Sequence, residues 1–326
     1  MFFRSVHATA RPLPETRLQD LLGEYEKDSA SGLIQASSSA DTRVALIIFK
    51  GRITNAYSIS TDSHEHISAG RAVEIISGLG AGTLASARLP ALALRAAKIL
   101  AEQPQPAETL KVTTERLHIL LDQWKQLPHL SLATLTWPTA EGLILLPGYG
   151  VTPRQGLFMS DGVHESAEAV SRMNGWFEGT LDAARYTYSS EIPAWEEYLT
   201  HRSFISILEA VLNRYKELTG LALLNALGRT INRIANENRW DVSVIVDRVN
   251  DQEIFPGIAD MVSAYRILLA VTYNHVSSVL GEKLLQTVHR EALADVDALA
   301  SRTVLKYALL SGTGFLTARQ TETDYA

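Results

Sequence analysis

Apolar and polar positions alternate with two different periods along this chain, and the change of period divides it. Leu18, Leu21 and Leu22 fall at helical spacing between Thr16 and Glu26, and the loop Ser29 to Gly32 then leads into Leu33-Ile34. The run Val44-Ala45-Leu46-Ile47-Ile48-Phe49 is apolar and β-branched. Lys50-Gly51 separates it from Arg52-Ile53-Thr54-Asn55-Ala56-Tyr57, so the pattern predicts a β-hairpin with Gly51 supplying a positive φ. Helices are predicted near Ala69 to Ile76 and from Pro90 to Ala101, the second opened by its proline. Glu102-Gln103-Pro104-Gln105-Pro106 reads as a linker, because two prolines oppose helix continuation.

Beyond it, Leu117, Leu120, Leu121 and Trp124 predict a helix. Strand patterns follow at Leu130 to Trp137, Leu143 to Leu146 and Leu157 to Met159. From Ile192-Pro193 onward the period is helical. Ile205, Leu208, Leu212 and Tyr215 form one stripe, Met261, Tyr265, Leu268 and Leu269 a second, and Leu284, Leu285 and Val288 a third. Such stripes bury against one another. Asp241 to Val246 reads as a short strand interrupting them, and Pro256-Gly257 as a turn. There is also an internal echo: Gly220-x-x-Leu223-Leu224-x-x-Leu227-x-Arg229 matches Gly281-x-x-Leu284-Leu285-x-x-Val288-x-Arg290.

The expected fold class is therefore an α+β amino-terminal half, made of helix and antiparallel hairpin units, followed by an all-α helical bundle. The expected divisions are residues 1–103, a second small α/β segment over 108–190, the helical domain over 191–312 and a flexible tail over 313–326.

Composition narrows the functional classes. The 326 residues include 30 Lys and Arg against 36 Asp and Glu, a formal charge of −6, which disfavours nucleic acid as a partner. With no cysteine, disulfides, thiolate metal sites and cysteine nucleophiles are excluded. The start, Met1-Phe2-Phe3-Arg4, breaks its apolar run too early for a secretory signal, and no stretch approaches the roughly 18 apolar residues of a membrane span. A cytoplasmic location is the expectation.

Candidate chemistry is sparse. Asp62, His64 and His66, at i, i+2 and i+4, would place a carboxylate and two imidazoles on one face of an extended segment, a usable metal geometry that competes with a solvated polar loop. Gly78-Leu79-Gly80-Ala81-Gly82 fails the dinucleotide fingerprint, because Thr83 stands where its third glycine belongs. Arg88, Arg95 and Lys98 are expected on one helix face, as a surface for an acidic partner or simply as a solvated face. Arg229 and Arg233 form a basic helix end, read either as a partner site or as favourable charge on the helix dipole. His201, His275 and His289 invite comparison with phosphotransfer histidines, although none has an acid or base partner at helical spacing. No catalytic motif and no cofactor motif is present.

Leu18-x-x-Leu21-Leu22, then Ser31-Gly32-Leu33-Ile34, then Ile47-Ile48-Phe49-Lys50-Gly51-Arg52-Ile53-Thr54-Asn55-Ala56, resembles the PATAN-like domain family over about the first hundred residues. In that family a short helix precedes a small-Gly-Leu strand and a hairpin turning at glycine. The resemblance implies a non-catalytic adaptor of bacterial signalling proteins, often joined to a receiver domain. No receiver domain is evident here, so the receiver or small-GTPase switch would come from another chain. The leading expectation is a signalling or scaffold adaptor that docks protein partners, its helical domain dimerising or engaging a partner. The alternatives are a phosphotransfer or metal-dependent enzyme using the histidines named above, and a small-ligand sensor.

Overall fold

A computed structural model describes residues 10–13, 17–38, 43–60, 64–149, 155–159, 163–176, 179–311 and 313. About 51% of it is helix and 28% strand, with antiparallel sheets in the amino-terminal half and helices in the carboxy-terminal half. The chain divides into two compact units, Met1–Trp195 and Glu196–Ala326.

The first unit contains two six-stranded sheets. In one, β1 (Arg11–Leu13), β2 (Gly32–Ser38), β3 (Arg43–Phe49), β4 (Arg52–Ile59), β5 (His64–Ile67) and β6 (Gly82–Arg88) lie in the order β1-β6-β2-β3-β4-β5. In the other, β7 (Glu108–Thr113), β8 (Ser131–Thr136), β9 (Glu141–Leu146), β10 (Gln155–Met159), β11 (Val163–Glu165) and β12 (Thr180–Thr187) lie in the order β7-β12-β8-β9-β10-β11. All pairings are antiparallel.

The two orders are one order. Each half runs through an edge strand, a helix, a four-strand meander, a second helix and a strand inserted between the edge and the meander. The helices are α1 (Leu18–Lys27) and α2 (Ala69–Gly78) in the first half, α4 (Leu117–Gln126) and α5 (Ser166–Asn174) in the second. In each half both helices cover the same sheet face. Leu18, Tyr25, Ala72 and Ile76 pack on Ile34, Leu46, Ile48 and Leu84. Leu121, Trp124, Ala169 and Met173 pack on Leu135, Ile144, Phe158 and Leu181.

The inserted strands carry a shared signature that the sequence reading did not register. Gly78-x-x-x-Gly82-Thr83-Leu84-x-x-Ala87-Arg88 matches Gly175-x-x-x-Gly179-Thr180-Leu181-x-x-Ala184-Arg185. Leu84 and Leu181 are each 1% exposed and occupy corresponding places in the two cores.

The expected hairpin is present as β3 and β4, with Gly51 at φ +77°. A Cβ there would lie 2.6 Å from Glu26 Cα, so the turn requires glycine sterically as well as conformationally. The expected helix after Pro90 is α3 (Ala91–Glu102), capped by that proline. Nine of its residues are buried, and it contacts both β5 and β10. The proline-rich stretch after it does not leave the neighbouring segments independent. Tyr57 Oη donates to Glu102 Oε1 (3.0 Å), the Ala194 amide to Glu102 Oε2 (2.7 Å) and Trp195 Nε1 to Gln103 Oε1 (2.7 Å). Glu102 and Gln103 thus pin the end of α3 to the end of the unit.

The second unit contains α6 (Pro193–Thr219, which enters it at Glu196), α7 (Leu221–Glu237), α8 (Ile258–Leu280), α9 (Glu282–Asp295) and α10 (Ala298–Lys306). It is not purely helical. The interrupting strand is β13 (Val242–Ile245), paired with β14 (Arg248–Asp251). Asn232 fixes this hairpin by accepting from the Val244 amide (2.6 Å) and donating to the Val244 carbonyl (3.0 Å). Both bonds satisfy backbone groups that a lone hairpin on a helix would leave open.

The helical echo marks a structural repeat. Gly220 (φ +80°, ψ 176°) joins α6 to α7, and Gly281 (φ +78°, ψ 162°) joins α8 to α9. This backbone region is essentially reserved for glycine. After each corner Leu224 and Leu227, or Leu285 and Val288, enter the core, whereas Leu223 and Leu284 remain exposed.

Candidate docking surface

Ring contacts set the direction of the two long helices. Phe204 stacks on Tyr265 with centroids 3.9 Å apart, and eleven residues later Tyr215 meets His275 edge-on at 6.1 Å. α6 and α8 therefore run parallel, and the corners at Gly220 and Gly281 that close them lie at one end of the unit. Lys216 Nζ binds Asp247 Oδ2 at 2.6 Å and the Val249 amide donates to Glu209 Oε1 at 3.0 Å, which sets the β13–β14 turn alongside α6, between one and three helical turns before its corner.

That end is apolar. Leu218, Leu221 and Leu223 flank the first corner, Val279 and Leu284 flank the second, and Ile245 and Val246 form the hairpin tip. Each is between 40% and 66% exposed. Single exposed apolar side chains are ordinary, but five flanking the two corners, with two more at the tip of the hairpin alongside, are a feature. Val246 adds a conformational one. It is the first of two residues linking β13 to β14 and has φ +59°, where a β-branched residue is strained and hairpins favour glycine. Several of the nearby charges are paired, Lys216 with Asp247, Arg214 with Glu217 and Arg248 with Glu209, while Glu282 and Lys283 stand exposed between the second corner and Leu284.

The residues singled out from sequence sit elsewhere. Arg88, Arg95 and Lys98 do not share a helix face. Arg88 ends β6 and pairs with Asp28, Arg95 is half-buried, and Lys98 is 3% exposed. The helix carrying Arg95 and Lys98 is buried nearly all round, so the amphipathic reading of its polar positions is corrected. Arg229 and Arg233 are exposed on α7, where Arg233 pairs with Glu237 at 2.7 Å.

His64 and His66 lie on β5, and Asp62 is outside the described residues. His64 Nδ1 donates to the Ala101 carbonyl (2.9 Å), and His66 packs edge-on against Tyr57 with its Nε2 3.4 Å from Asn55 Nδ2. Among the described residues no group of three potential metal ligands converges.

The three helical histidines are built into packing. His201, 3% exposed, lies 3.5 Å from the buried Asp251 carboxylate, which also accepts from Tyr265 Oη (2.6 Å). Tyr273 Oη and His289 Nδ1 share a hydrogen bond (2.9 Å), and burial pushes the His289 imidazole below its ordinary pKa. Burial lowers His275 as well. His201 is buried, whereas His275 and His289 are each half-buried.

The sequence reading missed the apolar end. Its signal was present in the echo itself, because Leu223 and Leu284 each precede a core leucine by one position and so cannot share its face.

No family model matches the chain, and neither a curated protein nor a solved structure is significantly similar to it. No helix among the described residues is long and apolar enough to cross a membrane.

Proposed function

We propose that this protein is a non-catalytic scaffold or signalling adaptor whose helical unit takes up an apolar surface of a partner protein at the end formed by its two glycine corners and the hairpin tip. The observation that carries the reading is Val246, a β-branched residue held at positive φ beside the 66%-exposed Ile245. A strained apolar tip lowers stability, and such strain is characteristic of binding sites. The PATAN-like pattern of the first hundred residues supports the signalling part, with a receiver domain or small GTPase as the class of partner.

The test compares proteins recovered from the native host with the wild-type chain and with Leu221→Asp and Ile245→Asp. Both positions are exposed, so the variants should fold. The reading expects a protein retained by the wild type and lost by both variants, and recovery of the same set by all three chains contradicts it. Light scattering on the same samples shows whether a second copy is the partner.

A further inference from the structure

The two halves of the first unit enclose a cleft of about 360 Å³ that the docking reading does not use. Its volume lies at the lower end of small-molecule sites. Three strands supply most of its polar wall, each with two side chains an even number of positions apart and therefore on one face. They are Gln35 and Ser37 on β2, Thr134 and Thr136 on β8, and Asp182 and Tyr186 on β12. β2 and β8 hold the same place in the two strand orders, and Thr136 pairs directly with Asp182.

Among the described residues these six side chains have no hydrogen-bond or ion-pair partner. Arg43, Glu141 and His64 also line the cleft, but each is engaged elsewhere. Gln35 is only 7% exposed, and an enclosed amide without a partner is costly, so its retention calls for a ligand or a solvent group in the cleft. Five of the six groups, the amide, the three aliphatic hydroxyls and the phenol, can donate or accept. Burial raises the Tyr186 pKa, so the phenol keeps its proton. Walls with groups of either role match a ligand whose groups also take either role. Hydroxyls do so, whereas an ammonium only donates and a carboxylate or phosphate only accepts. Asp182 adds a charged acceptor for hydroxyl protons. Leu100 and Pro104 give the cleft an apolar stretch beside its polar wall.

We propose that this cleft binds a neutral polyhydroxylated molecule, a monosaccharide or cyclic polyol, its hydroxyls bonded to these six side chains and its C–H face against Leu100 and Pro104. Volume excludes larger ligands such as dinucleotides. Ligand binding here is independent of the apolar end, so either can fail without the other.

Isothermal titration of the purified full chain with D-glucose, D-galactose, D-mannose, D-ribose and myo-inositol tests this. The control arms are tetrahydropyran-2-methanol, a six-membered ring with a single hydroxyl, and the charged L-lysine, L-glutamate and inorganic phosphate. The expected result is saturable one-to-one binding of at least one of the polyhydroxylated probes, at least about tenfold tighter than any control. Thr136→Val should weaken that binding by about two- to tenfold without lowering the thermal midpoint of the ligand-free chain, because the lost hydroxyl has no partner in the protein. Asp182→Ala should weaken it by at least about tenfold, whereas Arg233→Gln in the other unit should not. If Thr136→Val fails to fold, the exposed Asp182→Ala alone decides. No saturable binding of any of the five probes overturns the proposal, as does equal or tighter binding of the single-hydroxyl ring or of a charged control, or unchanged affinity in Asp182→Ala.

Discussion

Both units are built by repetition, but the copies have taken different courses. In the first unit two six-stranded halves share strand order, helix placement and a buried leucine in the inserted strand, yet the rows that line the cleft between them carry different side chains: Arg43 and His64 on one sheet, Glu141 and Asp182 on the other. In the second unit the two helix–glycine–helix corners retain the same exposed leucine, Leu223 or Leu284, at one end. Copies that face each other across a cleft are free to become complementary. Copies placed side by side toward solvent add to one surface. On this account the second arrangement suits a protein partner laid across the exposed leucines.

The largest expected effects test whether the sheet halves are equivalent. Leu84→Ala and Leu181→Ala each remove a core side chain and should each lower stability by about 2–4 kcal/mol in urea unfolding. A loss confined to one of them would break the equivalence. Next are the corners. Gly220→Ala and Gly281→Ala meet no atom within 4 Å of the new Cβ, so their cost is conformational, about 1–3 kcal/mol each. Equal costs would sharpen the comparison of the corners, and a neutral substitution at either would show that its backbone is not constrained as described.

A smaller effect distinguishes the units by pH. Burial lowers the pKa of His275 and His289, so the unfolded chain binds more protons than the native one on the acid side. Their contribution to stability is complete above the unfolded histidine pKa of about 6.5 and is lost as pH falls toward the native values. Denaturant titrations through this range should show the second unit weakening first. His289→Asn keeps a hydrogen-bonding amide opposite Tyr273 and should flatten the dependence, whereas an unchanged slope would place the titration elsewhere. The smallest effect has the opposite sign. Val246→Gly relieves the positive φ and should stabilise the protein by up to about 1 kcal/mol while weakening partner capture.

Much of the fold could be read along the chain, because adjacent elements leave local signals. The hairpin across Lys50-Gly51, the helix opened by Pro90 and the strand before Val246 each depend on residues within a few positions. The repeats required distant comparison. The glycine, threonine, leucine and arginine of the inserted strands recur at one spacing, but only pairing of β6 with β2 and β12 with β8 gives that spacing a meaning. Charge was the least legible. Lys98 looked like a solvent-facing residue because helical spacing places it with Arg95, and nothing local records that both β5 and β10 contact that helix. The cleft was invisible for the same reason, since Arg43 and Asp182 are brought together by two sheets. Ile245 and Val246 were read as strand, with no local sign that they form its exposed tip.

Photo-crosslinking in living cells tests the central claim most directly. A photoreactive amino acid at position 221 or 245 should yield a discrete adduct with one partner, or with a second copy of the chain, and the same group at the exposed, ion-paired position 233 should not. Absence of adducts from both apolar positions, or an identical pattern from all three, would contradict the account.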